Sequence, residues 1–156
     1  MAGQIDARLA ELGIMLPTPA APAANYVPFV QSGALVFTAG QVTFNAAGKL
    51  EFIGKLGRDL GLDEGYQAAR LCAVNVLAAL RAACHGDLDR VRRCVKLVGF
   101  VNATPDFADH PKVINGASDL IVAVFGDKGR HARSAIGTAS LPLGVATEVE
   151  GVFEID

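Results

Sequence analysis

The sequence predicts an α+β fold in which a mixed or antiparallel sheet carries two helices on one face. Three observations lead there. Two apolar stripes at helical spacing lie at 64–85 and 111–125, strand-like alternation flanks and separates them, and glycine or proline punctuates the junctions. The order is therefore β-β-(β)-α-β-α-β-β. The chain has 156 residues, which suits one domain, and 51% are hydrophobic against 19% charged, so a sizeable core can form.

Taken in order, residues 4–13 place Ile5, Leu9 and Leu12 on one side of a short amphipathic helix. Pro17, Pro19, Pro22 and a run of alanines then interrupt regular structure to about residue 25. Segment 1–25 thus reads as a helix and an arm laid on the surface, preceding an α+β domain at 26–156. Residues 26–32 and 34–39 read as two strands joined at Ser32-Gly33, and one further strand is expected at 50–53. Asp63 is the expected N-cap of a helix at 64–85, whose stripe is Tyr66, Ala69, Ala73, Leu77, Leu80 and Cys84, with Gly86 as its stop.

After a turn at 87–89, Val91 to Asn102 alternates as a strand. Val95, Leu97, Gly99 and Val101 would share one face, and Cys94, Lys96, Val98 and Phe100 the other. Both faces are largely apolar, which predicts cover on both sides. The second helix carries Ile114, Ala117, Ile121 and Val124, with Gly126 as its C-cap. Strands at 131–139 and 145–155 close the chain. In the last, Val145, Thr147, Val149, Gly151, Phe153 and Ile155 face one way, and Ala146, Glu148, Glu150, Val152 and Glu154 the other. Two helices on one face leave the second face bare. Its apolar residues predict that copies of the chain cover it and share any pocket formed there.

Net charge is −2, so the basic footprint of nucleic-acid binding is missing. The one basic run, Arg90, Arg92 and Arg93, is read as a solvated edge neutralised by Asp87 and Asp89. The N-terminus lacks the basic head and unbroken apolar run of a secretory signal, and no stretch approaches the ~20 apolar residues of a membrane span. Three cysteines without a CxxC pairing fit free thiols in the cytoplasm. Cys72 and Cys84 fall on the helix pattern as buried apolar residues, while Cys94 is either buried or reactive. His85, His110 and His131 are too scattered to form a metal site by spacing. His131, two residues before Arg133, would share its strand face.

Chemistry centres on Arg133 and Glu148. If the last two strands form a hairpin centred on Ser140-Leu141, these residues face each other across it. A guanidinium offers a two-pronged fork to a ligand carboxylate, and an ionised glutamate can accept a proton or orient a water. The alternative is a cross-strand salt bridge without a ligand.

Arg133-Ser134-Ala135, Leu141-Pro142 and Glu148-Val149-Glu150 resemble the C-terminal signature of the RidA/YjgF family, also called endoribonuclease L-PSP. Tyr26, fifteen residues before Gln41, and Thr38-Ala39-Gly40-Gln41 resemble that family's tyrosine and its Thr-Ser-Gly-Gln turn. Asn115 falls near its helix asparagine. The resemblance covers 26–155. It implies a chorismate-mutase-like fold, a homotrimer whose sheets pack together, and ligand clefts between subunits. It also implies hydrolysis of reactive 2-imino acids, products of pyridoxal-phosphate enzymes, to 2-keto acids and ammonia, with no metal or organic cofactor.

By the same resemblance, Arg133 grips the substrate carboxylate and Glu148 holds or activates water. The backbone at Ala135 contacts the imine nitrogen or that water. Tyr26 closes the cleft from a neighbour, Ala39 and Gly40 form its turn, and Asn115 supports its wall. Ala39 replaces the family's usual serine, Ala135 replaces a cysteine found in many members, and the extended N-terminus suggests a distinct Rid-like branch. The expected partners are a small carboxylate-bearing ligand and further copies of the chain, not a membrane or a nucleic acid. The alternatives are a non-catalytic metabolite-binding trimer and, last, an endoribonuclease.

Overall fold

A computed structural model describes residues 3–19, 21 and 24–156; Met1, Ala2, Ala20, Pro22 and Ala23 of the expected helix and arm lie outside the described residues. The elements are α1 (Gln4–Glu11), β1 (Phe29–Ser32), β2 (Leu35–Thr38), α2 (Leu62–Ala83), β3 (Val91–Asn102), α3 (His110–Phe125), β4 (Ala132–Thr138) and β5 (Thr147–Ile155). The five strands form one mixed sheet in the order β1-β2-β5-β3-β4. The sheet and the two long helices give the α+β class read from the sequence.

Burial follows the residue patterns. On α2, Ala69, Cys72, Ala73, Val76, Leu77 and Leu80 are sealed, and on α3 so are Val113, Ile114, Ala117 and Ile121. They meet the alternate β5 residues Val149, Phe153 and Ile155, together with Leu97 and Val101 of β3. Fully burying one Leu, Ile or Phe contributes about 1.5–3 kcal/mol, so this layer dominates the favourable side of folding. The helices cross closely because Gly116 lies directly against the Tyr66 carbonyl, leaving no room for a methyl group. The N-terminal helix joins the same core through Leu9, and Ile14 follows it there. The carboxylate of Asp89 accepts from the backbone N–H groups of Gln4 and Ile5 at 2.8 Å and fixes the start of α1.

Several local expectations are corrected. The strand expected at 50–53 does not form, because Phe52 has φ +54° and leaves only isolated bridges, Phe44 with Leu50 and Ile53 with Val145. Helix α2 is capped at Gly61, whose N–H donates to Glu64 Oε2 at 2.7 Å, and Asp63 lies inside it. Two register shifts in β3, at Val91/Arg93 and Cys94/Lys96, change its alternation. Cys94 is therefore buried on the helix side with Leu97, while Val95 is exposed. Burial pushes the Cys94 thiol up to about 12, which makes it unreactive. Arg90 and Arg92 bond to Asp156 rather than to Asp87 or Asp89.

The largest correction concerns the last two strands. β4 and β5 do not pair, because β3 lies between them, parallel to β4 and antiparallel to β5. Helix α3 carries the chain back from β3 to β4, and such a crossover makes the joined strands parallel. The connection to β5 is a wide loop, with Leu143 at φ +60° and Gly144 at φ +72°, rather than a tight hairpin turn. The sheet face away from the helices stays open in the single chain and presents Val30, Phe37 and Ile136 at 43–55% exposure.

Candidate functional site

The order of strands divides the expected site residues into two groups. Arg133 aligns with Leu97 of β3, a residue sealed beneath the helices, so its side chain projects to the helix side at the sheet's edge. There Nη1 donates to Asn115 Oδ1 at 2.8 Å and Ser118 Oγ at 3.1 Å, and Nη2 donates to the Pro111 carbonyl at 3.4 Å. All three acceptors belong to α3 and all are neutral. Among the described residues no carboxylate bridges Arg133, so its charge is oriented but uncompensated. Ala135, two positions along, shares this side and packs against the core.

Ser118 is in turn held by His131, whose Nε2 lies 2.8 Å from the hydroxyl. His131 Nδ1 lies 2.6 Å from the Gly129 carbonyl, which can only accept. In the neutral ring the proton therefore sits on Nδ1, and Nε2 accepts from Ser118. The hydroxyl is left with its lone pairs toward Arg133. A continuous chain, Gly129–His131–Ser118–Arg133–Asn115, thus fixes the guanidinium. The expected sharing of a face by His131 and Arg133 holds through this bridge. Ser118 was not singled out from the sequence, although its place three residues after Asn115 puts both on one stripe of α3.

Glu148 belongs to the second group. It aligns with Phe100 and, one strand further, with Ile136, on the open side of the sheet. It lines a cavity of about 340 Å³ with Tyr26, Ala39, Gly40, Pro142 and Leu143. Its carboxylate lies so close to Gly40 that a side chain there would collide with it. Half-buried and beside Glu150, Glu148 has its pKa raised, chiefly by loss of water and secondarily by that like charge. A carboxyl group raised in this way in a cleft is a candidate for proton transfer.

The facing Arg133–Glu148 pair expected from a hairpin is therefore not present in the chain. Two strand spacings and three residues of offset separate the two backbones by roughly 14 Å, and the side chains leave opposite faces. Tyr26, Ala39, Gly40 and Glu148 come together in one cavity; Arg133, Asn115 and Ala135 come together elsewhere. Among the described residues no group of three His, Cys, Asp or Glu side chains could hold a metal, and no helix is long and apolar enough to cross a membrane.

Comparison with known proteins gives a consistent picture. A family model described as "YjgF/chorismate mutase-like, putative endoribonuclease" matches residues 6–153. Protein TCP17 of Trypanosoma cruzi is 50% identical over 155 residues, covering 99% of this chain and 96% of that protein. A crystal structure of a protein of unknown function from Agrobacterium tumefaciens superposes with a TM-score of 0.91 at 48% identity, covering 97% of this chain and 92% of the other. One described as a putative endoribonuclease from Shewanella oneidensis superposes with a TM-score of 0.93 at 37% identity, covering 98% and 100%.

Proposed function

The chain belongs to the YjgF/chorismate-mutase-like family, and we propose that it hydrolyses small 2-imino acids to 2-keto acids and ammonia without a metal or organic cofactor. The observation that carries this reading is the state of Arg133. A cation held by three neutral acceptors, with no carboxylate partner among the described residues, is prepared for an anion that arrives from outside.

In this reading the working cleft lies between copies of the chain in a homotrimer, with the open sheet faces packed together. One copy supplies Arg133, Ala135 and Asn115; its neighbour supplies Tyr26, Ala39, Gly40 and Glu148. Arg133 binds the substrate carboxylate and aligns the adjacent imine carbon, which is already electrophilic. Glu148, as carboxylate, takes a proton from water as the oxygen attacks that carbon. It returns that proton to nitrogen to give a carbinolamine. It then carries the remaining hydroxyl proton to nitrogen as the C–N bond breaks and the C=O bond forms, releasing ammonia and the keto acid. Its raised pKa lets one group perform these transfers. Three buried, unpaired cysteines suit a reducing compartment, and we place the activity in the cytoplasm.

The test generates imines in situ from an amino acid and follows keto-acid release with and without protein. Wild type should accelerate release and Arg133→Ala should lower the rate by orders of magnitude; wild type no faster than buffer refutes the proposal. A second reading, a binding trimer that senses keto acids, is favoured by the methyl groups of Ala39 and Ala135, which bring no proton-transfer group to the cleft. It predicts that Glu148→Ala leaves function intact. An RNA-cleaving role is weakest for a chain of net charge −2 and would show as salt-dependent retention on RNA.

A further inference from the structure

At the opposite end of β4 from Arg133 lies a cavity of about 640 Å³ that the proposed reaction does not use. It opens where the loop after β3, the first residue of α3, the end of β4 and the segment before α2 meet. Lys55, Arg58 and His110 line it together with Thr104, Thr138 and Phe107, and among the described residues no acidic one lines it.

The state of these groups indicates what they can bind. Lys55 is partly buried, and its ammonium donates to Asn102 Oδ1 at 2.7 Å and to the Ala139 carbonyl, both neutral acceptors. Among the described residues no carboxylate bridges it. Asp59, the nearby acid, interacts with this ammonium only at longer range and is itself bonded to Arg58, so the ammonium keeps charge to offer a ligand. Arg58 commits Nε and Nη2 to Asp59 at 3.0 and 2.9 Å, which leaves Nη1 available. Asp109 is turned to Lys112 at 3.2 Å. The Thr104 hydroxyl is buried under Gly57 with no hydrogen bond of good geometry, although it lies close enough to Asp106 to hold that carboxyl below its ordinary range.

The walls are also fixed. The His110 ring lies directly on the backbone of Gly137, where any side chain would collide with it. Phe107 meets that ring edge-on, with centroids 5.3 Å apart and planes at 88°. A cavity with two cationic donors, an imidazole and one aromatic wall suits a compact multiply charged anion on an organic body.

We propose that the cavity formed by Lys55, Arg58, His110 and Phe107 is a second ligand site, specific for the phosphate group of a small phosphomonoester. A phosphomonoester carries close to two negative charges near neutral pH and several strong acceptor oxygens, which a single carboxylate does not. The site is independent of the reaction assigned to Arg133.

The test titrates the full chain, in chloride buffer, with phenyl phosphate, inorganic phosphate and benzoate by calorimetry. Phenyl phosphate should bind saturably and more tightly than the other two. Its affinity should fall at least about tenfold in Arg58→Gln and in Lys55→Met, and stay unchanged in Arg133→Ala. Arg58 is an exposed rim residue, so its substitution leaves the fold intact even where Lys55→Met does not. Four results would overturn the proposal: no saturable phenyl phosphate binding up to about 10 mM, equal affinity in Arg58→Gln, benzoate or inorganic phosphate binding as tightly as the ester, or loss confined to Arg133→Ala.

Discussion

Replacing Arg133 by lysine tests whether the guanidinium fork, rather than charge alone, makes the site. Lysine keeps the positive charge but presents one tetrahedral head where arginine presents a planar pair of donors. In the structure the guanidinium reaches Asn115, Ser118 and the Pro111 carbonyl at once, which sets its plane. A single ammonium cannot hold those acceptors and still give two parallel bonds to a carboxylate. Loss of one charge-assisted hydrogen bond costs about 1.5–3 kcal/mol, or roughly 10- to 150-fold in affinity. The assay is calorimetric titration of pyruvate, a 2-keto acid, against wild type and Arg133→Lys, with urea denaturation to verify the fold. A dissociation constant within about threefold of wild type would show that the fork is not the binding element. Glu148→Gln is the companion variant: it should bind pyruvate normally and lose turnover.

Three further outcomes follow from the geometry. Glu148 has a raised folded-state pKa, so between the ordinary carboxylate range and that raised value the folded chain binds more protons than the unfolded one. Stability must then fall as pH rises through that window, and urea denaturation across pH should show a slope that Glu148→Gln reduces. Ser118→Ala removes the hydroxyl between His131 and Arg133 while sparing the Asn115 bond; KM for the imine should rise by about 3- to 10-fold with a smaller change in kcat. Gly116→Ala would ordinarily favour a helix by about 1 kcal/mol, but its methyl meets the Tyr66 carbonyl. The denaturation midpoint should therefore drop by the equivalent of about 1–3 kcal/mol, and an unchanged midpoint would show that α2 and α3 yield freely.

Much of this fold was legible because its signals are local. The stripe from Tyr66 to Cys84, the stop at Gly86, the Gly126 cap and the alternation in β5 each reflect burial on one face. The errors arose where partners are distant in sequence. Pairing Arg133 with Glu148 assumed that consecutive strands are neighbours, whereas β3 separates them. Periodicity reports which residues share a face within a strand and carries no information on which strand lies beside it. In β3 the register shifts moved Cys94 to the helix side, and no residue type there announces a bulge. At the site, Asn115 and Arg133 do meet, but Ser118 was hidden because a serine inside a helix has no distinctive signal. Its role depends on His131, thirteen residues away.

The separation of the two groups has a consequence for how activity must depend on assembly. Arg133 projects on the helix side at the sheet edge and Glu148 on the open side, with backbones roughly 14 Å apart. No small imino acid can touch both within one chain, so a cleft that uses both takes them from two copies. An Arg133→Ala chain still carries an intact Glu148 group, and a Glu148→Ala chain still carries an intact Arg133 group. Each variant alone should be inactive. In the proposed homotrimer the two variants, unfolded together in equal amounts and refolded as mixed assemblies, should recover about a quarter of wild-type activity, because an intact head-to-tail cleft takes Arg133 from one variant and Glu148 from the other. Recovery should vanish if the variants are mixed without subunit exchange. No recovery in trimers shown to be mixed would mean that Arg133 and Glu148 do not act on the same molecule, and the hydrolytic reading would fail at its assembly step.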